Sequence, residues 1–144
     1  MYVLDTNIIS ELIRPRPNEG VIQWVGNQSL SNLYTTAVTK AEIYYGLHIL
    51  PKGKRRTDLE QALHQIFRAG LQHRILEFNS TSAMVFAMIA SNRRKSGIPI
   101  SNADAQIAAI CSQHGFQLVT RNASDFADCG IEVINPFVDW KLTS

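Results

Sequence analysis

Short apolar runs of strand length alternate with longer segments whose apolar residues recur at helical spacing, and this alternation constrains the fold more than any other feature. Tyr2-Val3-Leu4 opens the chain as a buried strand, and Thr6 to Ile13 follows with Ile8, Ile9, Leu12 and Ile13 in helical register. Asn18 to Trp24 or beyond reads as a second helix, with Val21, Trp24 and Val25 on one side. Leu33 to Thr36 suggests a strand, and Thr39 to Leu50 a helix with Ile43, Leu47 and Leu50 in line. Thr57 to Gly70 is amphipathic through Leu59, Ala62, Leu63, Ile66 and Phe67. Arg74 to Phe78 reads as a strand, and Thr81 to Arg94 as a nearly all-apolar helix buried on more than one side. Ser101 to His114 is helical again and stops at Gly115, a C-cap residue. Gln117 to Thr120 and Glu132 to Asn135 complete the strands. Strands and helices in such alternation predict an α/β fold with a central, mostly parallel sheet flanked by helices.

A chain of 144 residues holds one such domain, 1–144, and buries a core without disulfides or structural metals. With 45% hydrophobic and 18% charged residues, disorder and long coiled coil are excluded. A net charge of +2 creates no global field for a polyanion, so any nucleic-acid contact rests on local patches. Cys111 and Cys129 have neither disulfide-framework nor zinc spacing, and Cys111 lies on an apolar helix face as a small hydrophobe. The longest apolar run, Ala83 to Ala90, is far short of the ~18 residues of a membrane span, and the N-terminus lacks the marks of a leader peptide. The expectation is a soluble cytoplasmic domain. Arg14-Pro15-Arg16-Pro17 breaks a helix, and Leu50-Pro51-Lys52-Gly53-Lys54-Arg55-Arg56 reads as an exposed loop.

In a parallel α/β sheet, ligands bind beyond the carboxyl ends of the strands. Acidic residues recur there. Asp5 follows the first strand, Glu42 lies near the start of the helix after the second, and Asp104 lies at the start of the helix opened by Ser101. Asn122 and Asp125 follow Leu118-Val119-Thr120. Each has a local explanation as well. Thr39-Lys40-Ala41-Glu42 has the form of a capping box, Asp104 complements a helix dipole, and Asp125 suits a turn. Asp5 resists dismissal, because an acid directly after an apolar strand must be paired, hydrogen-bonded or metal-bound. Gathered together, such carboxylates repel one another, and a hard divalent cation relieves that repulsion. An all-carboxylate site without His or Cys points to phosphate chemistry; His48, His64, His73 and His114 show no ligand spacing.

Four segments carry a further likeness: Val3-Leu4-Asp5-Thr6-Asn7-Ile8-Ile9-Ser10-Glu11, Thr39-Lys40-Ala41-Glu42-Ile43-Tyr44-Tyr45-Gly46-Leu47, Asp104-Ala105-Gln106-Ile107-Ala108-Ala109, and Leu118-Val119-Thr120-Arg121-Asn122-Ala123-Ser124-Asp125-Phe126. In order and spacing the chain resembles the PIN domain, and within it the VapC and FitB-like toxins of bacterial toxin–antitoxin pairs, as far as Asn135-Pro136-Phe137. The resemblance implies a Mg²⁺- or Mn²⁺-dependent endoribonuclease. It places Asp5, Glu42 and Asp104 around the metal, and a fourth acid where this chain has Asn122 or Asp125. Asn122 departs from an acidic pattern: its carbonyl oxygen can ligate but adds no charge, and Asp125 can supply the carboxylate. Thr6, Asn7, Thr120 and Arg121 stand beside these positions as candidates for positioning carboxylates or scissile phosphate. The resemblance also implies a homodimer, held by a DNA-binding antitoxin whose C-terminal segment lies along the toxin.

Substrate RNA requires cations, and Lys52, Lys54, Arg55 and Arg56, the run Arg93-Arg94-Lys95, and Arg121 are the candidates. No aromatic-rich platform for single strands is visible. Trp24 and Ile43-Tyr44-Tyr45-Gly46-Leu47 suit either an interface or, more simply, the core. A phosphatase with an aspartyl nucleophile is disfavoured by Asn7, a receiver domain by the lack of a late-strand lysine, and a P-loop by its missing glycine spacing. A DNA-binding module lacks a helix with a dense basic face. A PIN module that binds RNA or protein without cutting is the alternative that Asn122 keeps open.

Overall fold

The computed structural model describes residues 1–138. The expected domain runs on to 144, and that end lies outside the described residues. The elements are β1 (Tyr2–Leu4), α1 (Thr6–Leu12), α2 (Glu19–Gly26), β2 (Leu33–Thr36), α3 (Ala37–His48), α4 (Lys54–His64), β3 (Ile75–Leu76), α5 (Ser80–Lys95), α6 (Asn102–His114), β4 (Gln117–Val119) and β5 (Val133–Ile134). All five strands are parallel, in the order β3-β2-β1-β4-β5. β1 is central: Tyr2 pairs with Leu33 on one side and Gln117 on the other. The sheet therefore grows in opposite directions from β1, which makes its carboxyl end the topological switch point where such folds bind ligands.

Side chains alternate across the sheet with a period of two. Leu4, Leu33 and Val119 point into a cluster with Ile8, Ile9, Val21, Trp24, Ile43, Leu47, Leu63 and Phe67. Val3 and Leu118 point into the other, with Ile89, Ile107, Ala108, Cys111 and Phe126. Helices α1 to α4 thus cover one face, and α5 and α6 the other. Each fully buried Ile or Leu stabilises the fold by about 1.5–3 kcal/mol. Trp24 belongs to this core, its ring edge-on to Tyr2 with centroids 4.9 Å apart. Cys111 is fully buried, as expected of a small hydrophobe. Gly115 ends α6 in the left-handed region (φ 69°), where a side chain would be strained. No helix among the described residues is long and apolar enough to cross a membrane.

Several expected boundaries shift for identifiable reasons. α3 starts before Thr39, because Thr36, the last residue of β2, is itself the N-cap and accepts from the Thr39 amide at 3.0 Å. The capping box expected from Thr39 and Glu42 is therefore absent, and Glu42 lies inside the helix. Lys54, Arg55 and Arg56 form the first turn of α4, not a loop; Arg56 donates to the Leu50 carbonyl at 3.3 Å and ties that turn back to the end of α3. The expected helix to Gly70 changes pitch at Gln65 and finishes as a π-helical turn. β3 and β5 keep only two residues each, because an edge strand has one neighbour and pairing ends where the chain turns away. α5 is not buried on more than one side: Ile89 and Arg93 are buried, while Met84 and Met88 are exposed.

Candidate metal-binding active site

Asp5 is the first residue beyond β1. Its amide extends the sheet ladder to the Val119 carbonyl at 2.9 Å, and its side chain caps α1 by accepting from the Thr6 amide at 2.8 Å. The other carboxylate oxygen accepts from the Thr120 hydroxyl at 2.7 Å and from Asn7 Nδ2 at 3.4 Å. Asn7 Nδ2 also reaches Thr120 Oγ1 at 3.1 Å, and its Oδ1 accepts the Arg121 amide at 3.0 Å. Asn7 and Thr120 thus lock the exits of β1 and β4 together around Asp5. The Thr120 hydroxyl accepts the Asn122 amide as well, at 3.1 Å.

From β2, α3 brings Glu42 to the same end of the sheet, where its Oε1 accepts from Thr6 Oγ1 at 2.8 Å. Thr6, next to Asp5 in the chain, therefore ties the acid of α3 to the exit of β1. Asp104 lies in the first turn of α6, where its amide donates to the Ser101 cap at 3.2 Å. Asp125 sits in a short 3-10 turn (Ala123–Phe126) after β4, and its amide donates to the Asn122 carbonyl at 3.0 Å. Asp104 and Asp125 face one small cavity with Arg93, Ile100 and Ser101. A roomier hollow, bounded by Met1, Cys111, Phe116 and Glu132, lies at the opposite end of the sheet from the acids.

The acids act on each other electrostatically. Burial pushes the Asp5 carboxyl up to about 6, with added repulsion from Asp104 and Glu42, against the hydrogen bonds from Thr120 and Thr6. Asp104 is also raised, first by burial and then by the charges of Asp125 and Glu42, while Ser101 and Arg93 oppose the shift. Asp5 thus feels the charges of Asp104 and Glu42, and Asp104 those of Asp125 and Glu42, across the switch point of the sheet.

Among the described residues, no three His, Cys, Asp or Glu side chains close tightly enough to clasp one ion by themselves. Asp5 and Glu42 are instead turned toward the Thr120 and Thr6 hydroxyls. The donors are all oxygen, mutually repelling and partly open to water. Such a set fits a hard divalent cation that takes one or two carboxylates and keeps several waters.

Of the other expected contacts, Arg121 is exposed beside Asn122, its guanidinium 4.7 Å over the Phe137 ring. Lys54 and Arg55 line a groove with Arg14, Ile13 and Leu59, and none of the four acids borders it. Arg93, expected in an exposed cationic run, is instead buried, 5% exposed, with its guanidinium bonded to backbone carbonyls. Neither the burial of Arg93 nor the Thr36 cap has a local sequence signal: a run of cations reads as exposed, and Thr39 offers an equally plausible cap.

A parallel α/β domain that gathers carboxylates at its central switch point defines a class of fold and site. Within that class, the PIN domain family model matches residues 2–131, and the chain belongs to the PIN domain family. It is 39% identical over 137 residues to VapC ribonuclease Y4jK of Sinorhizobium fredii, an alignment covering 95% of this chain and 98% of the relative. It is 37% identical over 139 residues to Toxin FitB of Neisseria gonorrhoeae, covering 96% and 100%. Among solved structures, the crystal structure of FitAcB from Neisseria gonorrhoeae matches with a TM-score of 0.90 at 37% identity, over 96% of this chain and 99% of that one. A structure of FitAB bound to an IR36 DNA fragment matches equally well, with a TM-score of 0.90 at 36% identity, covering 95% and 96%.

Proposed function

We propose that this chain is a divalent-metal-dependent endoribonuclease and the toxin half of a toxin–antitoxin pair. The observation that carries the reading is the placement of acids at one end of the sheet: Asp5 at the exit of β1, Glu42 bonded to the adjacent Thr6, and Asp104 and Asp125 lining one cavity. The names of its relatives, VapC ribonuclease and Toxin FitB, supply the substrate class and the biological role.

Asp5 and Asp104 are the residues that would hold Mg²⁺ or Mn²⁺, with Glu42 as a ligand or as the group that orients a water. Bound there, the ion supplies charge neutralisation at a phosphodiester and a more acidic attacking water. The remaining work belongs to the chain. Thr120 and Asn7 hold the Asp5 carboxylate in a single orientation, and Thr6 holds Glu42. Asp125 and Asn122 complete the polar rim, with the amide of Asn122 adding an oxygen donor without charge. Arg121, exposed at the same edge, offers a guanidinium to an RNA phosphate.

The partners follow from the same reading: an RNA substrate, a DNA-binding antitoxin, and a second copy of the chain, all in the cytoplasm. The FitA–FitB complexes among its structural neighbours support the antitoxin. The exposed apolar residues Tyr45 on α3, Ile49 just after it, and Met84 and Met88 on α5 support protein contacts.

The test is RNA cleavage by purified chain with Mg²⁺ or Mn²⁺, with and without chelator, beside Glu42→Gln. Cleavage that requires metal and falls by about 10²-fold or more in the variant supports the reading. Metal binding without cleavage of structured or single-stranded RNA supports the second reading, a PIN module that binds without cutting, which the missing charge at Asn122 favours.

A further inference from the structure

Among the described residues, Arg93 is the only buried lysine or arginine. A buried guanidinium is expensive unless it is paired or fully hydrogen-bonded. Among those residues it makes no ion pair within 4.0 Å. Its hydrogens go instead to the backbone of two separate segments. Nε donates to the Ile98 carbonyl at 2.7 Å. Nη1 donates to the Asp125 carbonyl at 3.0 Å and the Ala127 carbonyl at 2.9 Å, and lies 3.5 Å from Cys129 Sγ.

Those two segments deliver two of the acids. Ile98 lies in the link from α5 to α6, just before the Ser101 cap that fixes the first turn holding Asp104. Asp125 and Ala127 flank Phe126, which is 2% exposed and anchors the 3-10 turn in the core. The side chains of Arg93, Asp104 and Asp125 line one cavity of about 250 Å³. The planar fork of an arginine serves two directions at once, which a lysine ammonium on a flexible stem does not.

We propose that Arg93 is a positioning residue: by bonding both segments, it fixes Asp104 and Asp125 relative to each other across the site. The proposal deepens the reading given above and rests on it. It differs from a plain stability role, because removing the fork displaces two acids that Arg93 does not itself replace in the chemistry.

The test compares wild type, Arg93→Lys and Ile89→Ala. Ile89 is buried on the same helix, packs in the core with Phe126 and hydrogen-bonds to neither segment, so its truncation weakens the fold while leaving the Arg93 hydrogen bonds in place. Mn²⁺ affinity is read by electron paramagnetic resonance, and RNA cleavage is resolved into kcat and KM. R93K is expected to lose about tenfold or more in Mn²⁺ affinity and in kcat, with KM little changed. I89A is expected to lose melting temperature but to keep both. R93K within about twofold of wild type on both readouts, or I89A matching its losses, overturns the proposal. If wild type binds Mn²⁺ but cuts no RNA, the nuclease reading fails and the affinity comparison still decides the role of Arg93. If it binds no Mn²⁺ and cuts no RNA, both fall. Should R93K not fold, Arg93→Gln, which buries no charge, carries the same comparison. Failure of both variants to fold makes Arg93 a structural strut and overturns the proposal.

Discussion

Asp5→Asn takes the charge out of the most buried of the four acids and leaves its size almost unchanged. Burial is the main cause that pushes the wild-type carboxyl from its ordinary 3.8 up to about 6 in the fold. A raised carboxyl pKa means that the folded state holds its proton more tightly than the unfolded chain. The associated stability is fully present below 3.8 and is lost as pH rises through about 6. Between 3.8 and about 6, at ~1.36 kcal/mol per pH unit, the loss amounts to about 3 kcal/mol. An asparagine titrates nowhere in this range. The stability difference, variant minus wild type, should therefore grow by about 3 kcal/mol from acid to neutral pH. The Thr120 hydroxyl and Asn7 Nδ2 both aim donors at the second Asp5 oxygen, and an amide NH₂ there costs about 1 kcal/mol for each bond lost. That offset does not depend on pH, so the slope of the difference is the diagnostic quantity. Urea unfolding of both proteins across about pH 4 to 8, without divalent metal, measures it. A difference that stays flat across that range would refute the reasoning, because Asp5 would then carry no strained charge.

Thr120→Val removes the strongest hydrogen bond to Asp5 and leaves the Asn7 and Asn122 donors short of an acceptor. It should destabilise the fold by about 1–3 kcal/mol and move the acidic limb of the pH–rate profile upward, since Thr120 lowers the Asp5 pKa; denaturation and a pH profile check both. Asn122→Asp should tighten Mn²⁺ by about tenfold, read by calorimetry, while lowering the melting temperature of the metal-free protein through added repulsion. Trp24→Ala should cost about 3–5 kcal/mol in urea unfolding, because the indole packs on Tyr2 and is 7% exposed.

The alternation of short apolar runs with helical periods made the parallel sheet legible, and the acids at strand exits pointed to its carboxyl end. Central strands read well: Tyr2-Val3-Leu4 lies between two neighbours, and its apolar run matches the paired residues. The edges read poorly, because the pairing of β3 and β5 depends on where a single neighbour ends. The start of α3 was misplaced because two threonines three residues apart each make a plausible cap, and only the sheet decides that Thr36 serves. That same displacement frees Glu42 from a capping role and leaves it to Thr6. Composition misled at α5, where Met84 and Met88 sit in an apolar run yet face outward. Arg93 was hidden in a basic run for the converse reason: its partners are carbonyls of distant segments, which no local pattern encodes.

The central claim is that separate acids at the end of the sheet act together as one metal site. Calorimetric titration of Mn²⁺ into wild type and Asp104→Asn, at a pH where Asp5 is ionised, tests it most directly. The expected result is saturable binding to wild type that weakens by about tenfold or more in the variant, with the fold unchanged by circular dichroism. Binding of equal strength to both proteins, or to neither, would contradict a shared site.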